Sequence, residues 1–179
     1  MANPRIIRWT AVGLISVVAG MAVGATEPED ELKSATVLSF VRHSEWLQAM
    51  PVGPITIGVT GRPSMISMLR RTLDGKTANN RAIRIVDVKA AGDLRACQVL
   101  YVASDNNNVI RQTLTSLGAS HALTIGEADR FLEYGGAVKL LIVDGHMSFE
   151  VSPAALDRAG VSISSKLLRY GQVKLRPPA

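Results

Sequence analysis

Residues 137–151 read AVKLLIVDGHMSFEV, two apolar runs joined by Asp144-Gly145. Asp-Gly is favoured in a two-residue hairpin because both central positions of a type I′ turn need a left-handed backbone. With these residues as the turn, Ile142 faces Met147, Leu140 faces Phe149 and Val138 faces Val151, all on one side. On the other side Lys139 falls opposite Glu150, an opposite-charge pair worth roughly 0.2–1 kcal/mol. One register accounts for both faces, so the stretch is an antiparallel hairpin with one buried side.

Upstream of it, strands alternate with helices. ITIGV (55–59) reads as a buried strand and RPSMISMLRRTL (62–73) as a helix entered through Pro63. AIRIVDV (82–88) alternates with a period of two, and QVLYVA (98–103) is a second buried strand. NNVIRQTLTSLG (107–118) is a helix stopped by Gly118, HALTI (121–125) a short strand, and EADRFLEYGG (127–136) a helix closed by glycines. Further upstream, KSATVLSFVRHSEWLQAM (33–50) places Val37, Phe40, Val41 and Leu47 at helical spacing, ending near Pro51. After the hairpin, SPAALDRAG (152–160) has Ser152 as an N-cap, Pro153 at the first helical position and Gly160 as the stop. The fold class expected is α/β: a single layered domain whose mixed, mostly parallel sheet is flanked by helices, with a β-hairpin in its C-terminal half. No internal repeat interrupts it.

The N-terminus has its own pattern. Met1–Arg8 carries Arg5 and Arg8 and no acid, an apolar run fills residues 9–24, and EPEDE follows at 27–31. Small residues at Val23 and Ala25 complete the form of a secretory signal peptide, residues 1–25, cleaved after Ala25. An uncleaved anchor is the competing reading, but the run is shorter than the ~20 apolar residues that span a bilayer and contains Gly13, Gly20 and Gly24. The remaining divisions are an acidic linker over 26–33, the α/β domain over 34–173 and a proline-ended tail over 174–179.

The whole chain carries +5; without residues 1–25 it loses two arginines and no acid, which leaves +3. Its basic residues are dispersed, which argues against a nucleic-acid surface. A single cysteine, Cys97, cannot form an intrachain disulfide, so stability must come from packing.

Catalytic patterns fail on spacing. VSISSKLLR (161–169) puts serines beside Lys166, but an S-x-x-K nucleophile needs serine three residues before the lysine, where Ile163 stands. No G-x-S-x-G elbow exists. His43, His121 and His146 are scattered, with no metal-ligand spacing. GKT (75–77) lacks the earlier glycine of a phosphate loop, since Arg70 occupies that position. No catalytic residue, metal or cofactor is therefore expected. VTGRPS (59–64) joins a strand end to a helix start, and with Asp105 and Asn106 it forms the ligand candidate: Thr60, Gly61, Arg62, Asp105 and Asn106. Plain helix capping is the simpler reading of these residues.

FVRHSEW (40–46), ITIGVTG (55–61), RAIRIVDV (81–88), ACQVLYVA (96–103), ALTIGEADRFLEYGGAVKLLIVDGHMSFEVS (122–152) and AALDRAGVSISSKLLRYGQV (154–173) resemble, in order, the motifs of the YfiR family. The likeness runs over residues 34–173 and is most specific in the C-terminal third. The resemblance implies a compact α/β domain and a periplasmic repressor that is not an enzyme. Such a repressor binds the sensor region of an inner-membrane diguanylate cyclase and lowers cyclic-di-GMP signalling. It further implies a partner surface on Phe149, Glu150, Ile163, Lys166 and Leu167. A sensor kinase is the alternative partner, through a small-ligand-sensing role for the domain; a homodimer stays open, and contact with a membrane runs only through the partner. Two departures stand out. Redox switching by an internal bridge needs a second cysteine, and Ser152 stands where the family pattern has asparagine; both residues cap helices.

Overall fold

The computed structural model describes residues 26–48, 50–118, 120–170 and 173–175. The expected signal peptide (1–25) and the end of the tail (176–179) lie outside them. In chain order the elements are α1 (Thr26–His43), β1 (Ser44–Trp46), β2 (Ile55–Gly61), α2 (Pro63–Leu73), β3 (Thr77–Ala78), β4 (Arg81–Asp87), α3 (Ala91–Leu94) and β5 (Val99–Ala103). They continue with α4 (Asn107–Leu117), β6 (Leu123–Gly126), β7 (Val138–Val143), β8 (His146–Val151), α5 (Pro153–Ala159), β9 (Val161–Ile163), α6 (Ser165–Tyr170) and β10 (Val173–Leu175).

Eight strands form one mixed sheet in the order β10-β8-β7-β6-β5-β2-β4-β3. Strands β4, β2, β5, β6 and β7 are mutually parallel and occur in the sequence order second, first, third, fourth, fifth. That is the flavodoxin-like doubly wound order, whose direction reverses between β2 and β5. The helices divide accordingly. α1, α2, α5 and α6 pack on one face around Phe40, Ile57, Leu69, Tyr101 and Phe149. On the other face, α3 and α4 cover Leu100 and Val102.

The hairpin has the register expected from its sequence, with Val138 opposite Val151, Leu140 opposite Phe149, Ile142 opposite Met147, and Lys139 opposite Glu150. Asp144 and Gly145 have φ of 50° and 76°, as the turn requires. The Lys139 ammonium lies 3.0 Å from Asp129. Phe149 meets Phe40 edge-on, 4.9 Å between centroids, which ties the hairpin to α1; such pairs add about 0.5–1.5 kcal/mol beyond burial. Ser152 caps α5 by accepting from the Ala155 amide at 3.4 Å, and Gly160 closes it with φ 63°.

Four elements differ from expectation. The acidic stretch 26–33 is not a linker but the first turns of α1, where Asp30 and Lys33 are buried in ionic contacts. The helix ends at His43 rather than near Pro51, because Ser44–Trp46 pairs antiparallel with Val161–Ile163 in a separate two-stranded sheet. Two backbone bonds of 2.8 Å, Leu47 N to Gly160 O and Ser164 N to His43 O, extend that seam, and Leu47 is left 76% exposed. Residues 127–136 form successive turns in place of a helix. Phe131, fully buried, fills the space above Gly126 and Gly136; a Cβ on either would come within 2.5 Å of its ring. The glycines make room for an aromatic rather than stop a helix. Finally, Lys174 and Leu175 of the expected tail, with Val173 before them, pair parallel with β8 as β10.

Candidate functional site

In a doubly wound sheet the ligand position lies beyond the carboxyl ends of the strands flanking the reversal, here β2 and β5. This chain closes that position with its own backbone and charges. Strand pairing runs to the last residues, Gly61 opposite Ala103, and the Arg62 amide donates to the Ala103 carbonyl at 2.8 Å. Gly61 has φ 107°, and a Cβ there would stand 2.0 Å from the Ala103 oxygen. Only glycine allows the two strand ends to approach so closely.

Above this closure sits Glu127, the residue following β6. Its Oε1 accepts from the Tyr101 hydroxyl at 2.6 Å and from Arg62 at 2.7 Å. Its Oε2 accepts from the Lys33 ammonium at 2.7 Å and from Arg62 at 2.9 Å. The Asp30 carboxylate, on α1, completes the group at 3.9 Å from Arg62 and 4.0 Å from Lys33. Two cations and two buried carboxylates thus surround a buried tyrosine, with the more exposed Glu29 carboxylate 3.9 Å from Lys33. Burial alone would push the Glu127 carboxyl up; the bonds from Lys33 and Tyr101, with the charges of Lys33 and Arg62, outweigh it and hold the group below the ordinary range. Burial, reinforced by the Glu127 charge, pushes the Tyr101 phenol well up, so it remains a neutral donor. Burial works against the charged Arg62, yet Glu127 and Asp30 overcome that and raise it. Lys33, Arg62 and Tyr101 each already donate to Glu127, so the cluster fastens α1 over the strand ends.

The five ligand candidates are accordingly dispersed. Arg62 is committed to Glu127 on the α1 side. Thr60 points to the opposite face, in a shallow pocket shared with Lys89 and Gln112. Gly61 serves the close strand contact. The Asn106 side chain caps α4 by accepting from the amides of Asn108 and Val109 at 3.0 and 3.3 Å, and Asp105 is exposed beside it. Sequence reading missed Lys33, Tyr101 and Glu127; the available signal was a charged residue directly after each of two buried strands, Arg62 and Glu127.

The partner candidates also separate. Phe149 and Leu167 belong to the core, at 4% and 6% exposure, so neither presents a surface. Glu150 projects from the other face of the sheet, since neighbouring strand residues alternate. Ile163 is half-buried on β9, and Lys166 is exposed on α6. Ser164 anchors the closing motif: its Oγ accepts from the Lys166 amide at 3.3 Å, and its carbonyl from the Leu167 amide at 3.0 Å. The serine two residues before the lysine is thus a helix cap.

A family profile described as YfiR/HmsC-like matches residues 30–172. The chain belongs to this family. The YfiR/HmsC-like family is a regulatory one, and its matched span takes in both strands of the β1–β9 seam and the Lys33–Arg62–Tyr101–Glu127 cluster. Among solved structures, the crystal structure of a conserved domain protein from Vibrio cholerae O1 biovar El Tor str. N16961 is similar, with a TM-score of 0.54 and 12% identity. The similarity covers 80% of this chain and 59% of that one, so the YfiR/HmsC-like chain spans somewhat over half the length of that relative and shares its fold. Comparison with curated proteins gives no match. No helix among the described residues is long and apolar enough to cross a membrane.

Proposed function

We propose that this YfiR/HmsC-like chain is an exported regulator, periplasmic after removal of residues 1–25, that binds the sensor region of an inner-membrane diguanylate cyclase and holds it inactive. Cyclic-di-GMP signalling is thereby lowered, and the chain itself catalyses nothing. Family membership motivates the reading, and one structural observation carries it. The position where a doubly wound domain would take a small ligand is filled by the Arg62–Glu127–Lys33 cluster, while the family-like stretches from the two ends of the domain meet at the surface in β1 and β9. Glu45 and Ser162 are register partners there, both exposed, and Lys166 follows at the start of α6.

In this reading Glu150, Ile163 and Lys166 contact the partner, and Phe149 and Leu167 support them from the core. Charge reversal at the two charged positions, Glu150→Lys and Lys166→Glu, is the test. Cyclic-di-GMP output is expected to rise in both, with an unchanged melting temperature for the exposed Lys166→Glu and a small fall for Glu150→Lys, which sets a lysine opposite Lys139. Unchanged output with stable variants would reject this surface. A sensor kinase as partner would be recognised by capture of a kinase in place of a cyclase.

A further inference from the structure

The opposite, amino-terminal end of the parallel strands carries an open cleft of about 550 Å³, within the usual range for small-molecule sites. Trp46 of β1 and Gly160, just before β9, form one wall; Gln98 before β5 and His121 before β6 form the other. The cleft therefore spans the junction between the two-stranded seam and the main sheet. The His121 ring lies across from Gly160, 3.7 Å from where a Cβ would stand.

Three properties of the walls select an occupant. Trp46, Met50 and Leu117 supply apolar surface. Among the described residues the buried Trp46 indole N–H has no acceptor. Arg95 at the rim has no ion-pair partner among the described residues, and no carboxylate lines the cleft. We propose that this cleft binds a small amphipathic organic anion, its apolar body against Trp46 and Leu117 and its acidic group toward Arg95. The site is separate from the strand ends near Arg62, and its existence does not depend on the partner proposed above.

Anilinonaphthalene sulfonate, an aromatic anion, is a suitable probe. Titrating the purified protein should give saturable binding at one site and a rise in melting temperature. Arg95→Glu should weaken binding at least about tenfold, a change of ~1.4 kcal/mol, and Ser116→Trp, which fills the cleft from α4, should abolish it. Both positions are exposed, so melting temperatures of the free variants should match the parent. A double variant of the exposed loop, Leu47→Ala with Val52→Ala, should bind normally, and the cationic dye ethidium should not bind. The proposal is overturned by absent saturable binding, by binding that survives both cleft variants, by loss of binding in the loop variant instead, or by equal binding of ethidium.

Discussion

The two edges of one sheet are built in opposite ways. At the carboxyl ends of the parallel strands, backbone meets backbone at Gly61 and Ala103, and Lys33, Arg62 and Tyr101 above all bond Glu127, with Asp30 held by longer ion pairs. At the amino ends, Trp46, Arg95 and His121 surround open space, with a donor and a cation that have no partner among the described residues. Doubly wound domains usually place ligands at the first edge. Here that edge is a fastening for α1, and the open space lies at the second edge, beside the β1–β9 seam.

The contrast can be broken most forcefully at Gly61. Gly61→Ala forces a Cβ against the Ala103 carbonyl at a φ of 107°, and it should cost roughly 3–5 kcal/mol, read as a fall in the denaturation midpoint. An ordinary midpoint would show the strand ends to be open. Glu127→Gln comes next. It leaves Lys33 and Arg62 beside a neutral group, and a loss of about 3 kcal/mol is expected by urea denaturation.

Acid provides a subtler version of the same test. The Glu127 carboxyl is held below its ordinary 4.5, so its stabilising contribution is complete above that value and disappears as pH falls through the lower folded-state value. The melting temperature of the parent should therefore drop more steeply below about pH 4.5 than that of Glu127→Gln, whose acid limb is flatter. Parallel curves would remove Glu127 from the account. The smallest effect belongs to the other edge: Arg95→Ala, at an exposed and unpaired position, should change stability by no more than ~0.5 kcal/mol while weakening dye binding. A large stability loss there would show that the cleft, too, is a structural fastening.

How much of this was readable depends on how local the cause is. The 138–151 hairpin was legible to the residue, because alternation and Asp144-Gly145 specify the register within fourteen positions. The cap at Ser152 and the stop at Gly160 are equally local. The end of α1 was not, since Ser44–Trp46 leaves the helix only because Val161–Ile163, more than a hundred residues away, arrives beside it. Helical spacing through Leu47 was real and was overruled by long-range strand pairing. The turns over 127–136 were misread because Gly126 and Gly136 act on the Phe131 ring, a contact across the segment rather than along it. The charge cluster was the least legible part. Lys33, Arg62, Tyr101 and Glu127 form no motif, and they meet only because the strand order places the ends of β2, β5 and β6 under α1.

The central claim is that this domain acts by restraining a membrane cyclase. It is tested most directly by measuring intracellular cyclic-di-GMP in cells lacking the chain and in the same cells with it restored. The account predicts a rise on deletion, return to the starting level with the parent chain, and failure to return with Lys166→Glu despite normal amounts of folded protein. A level that deletion leaves unchanged would contradict it.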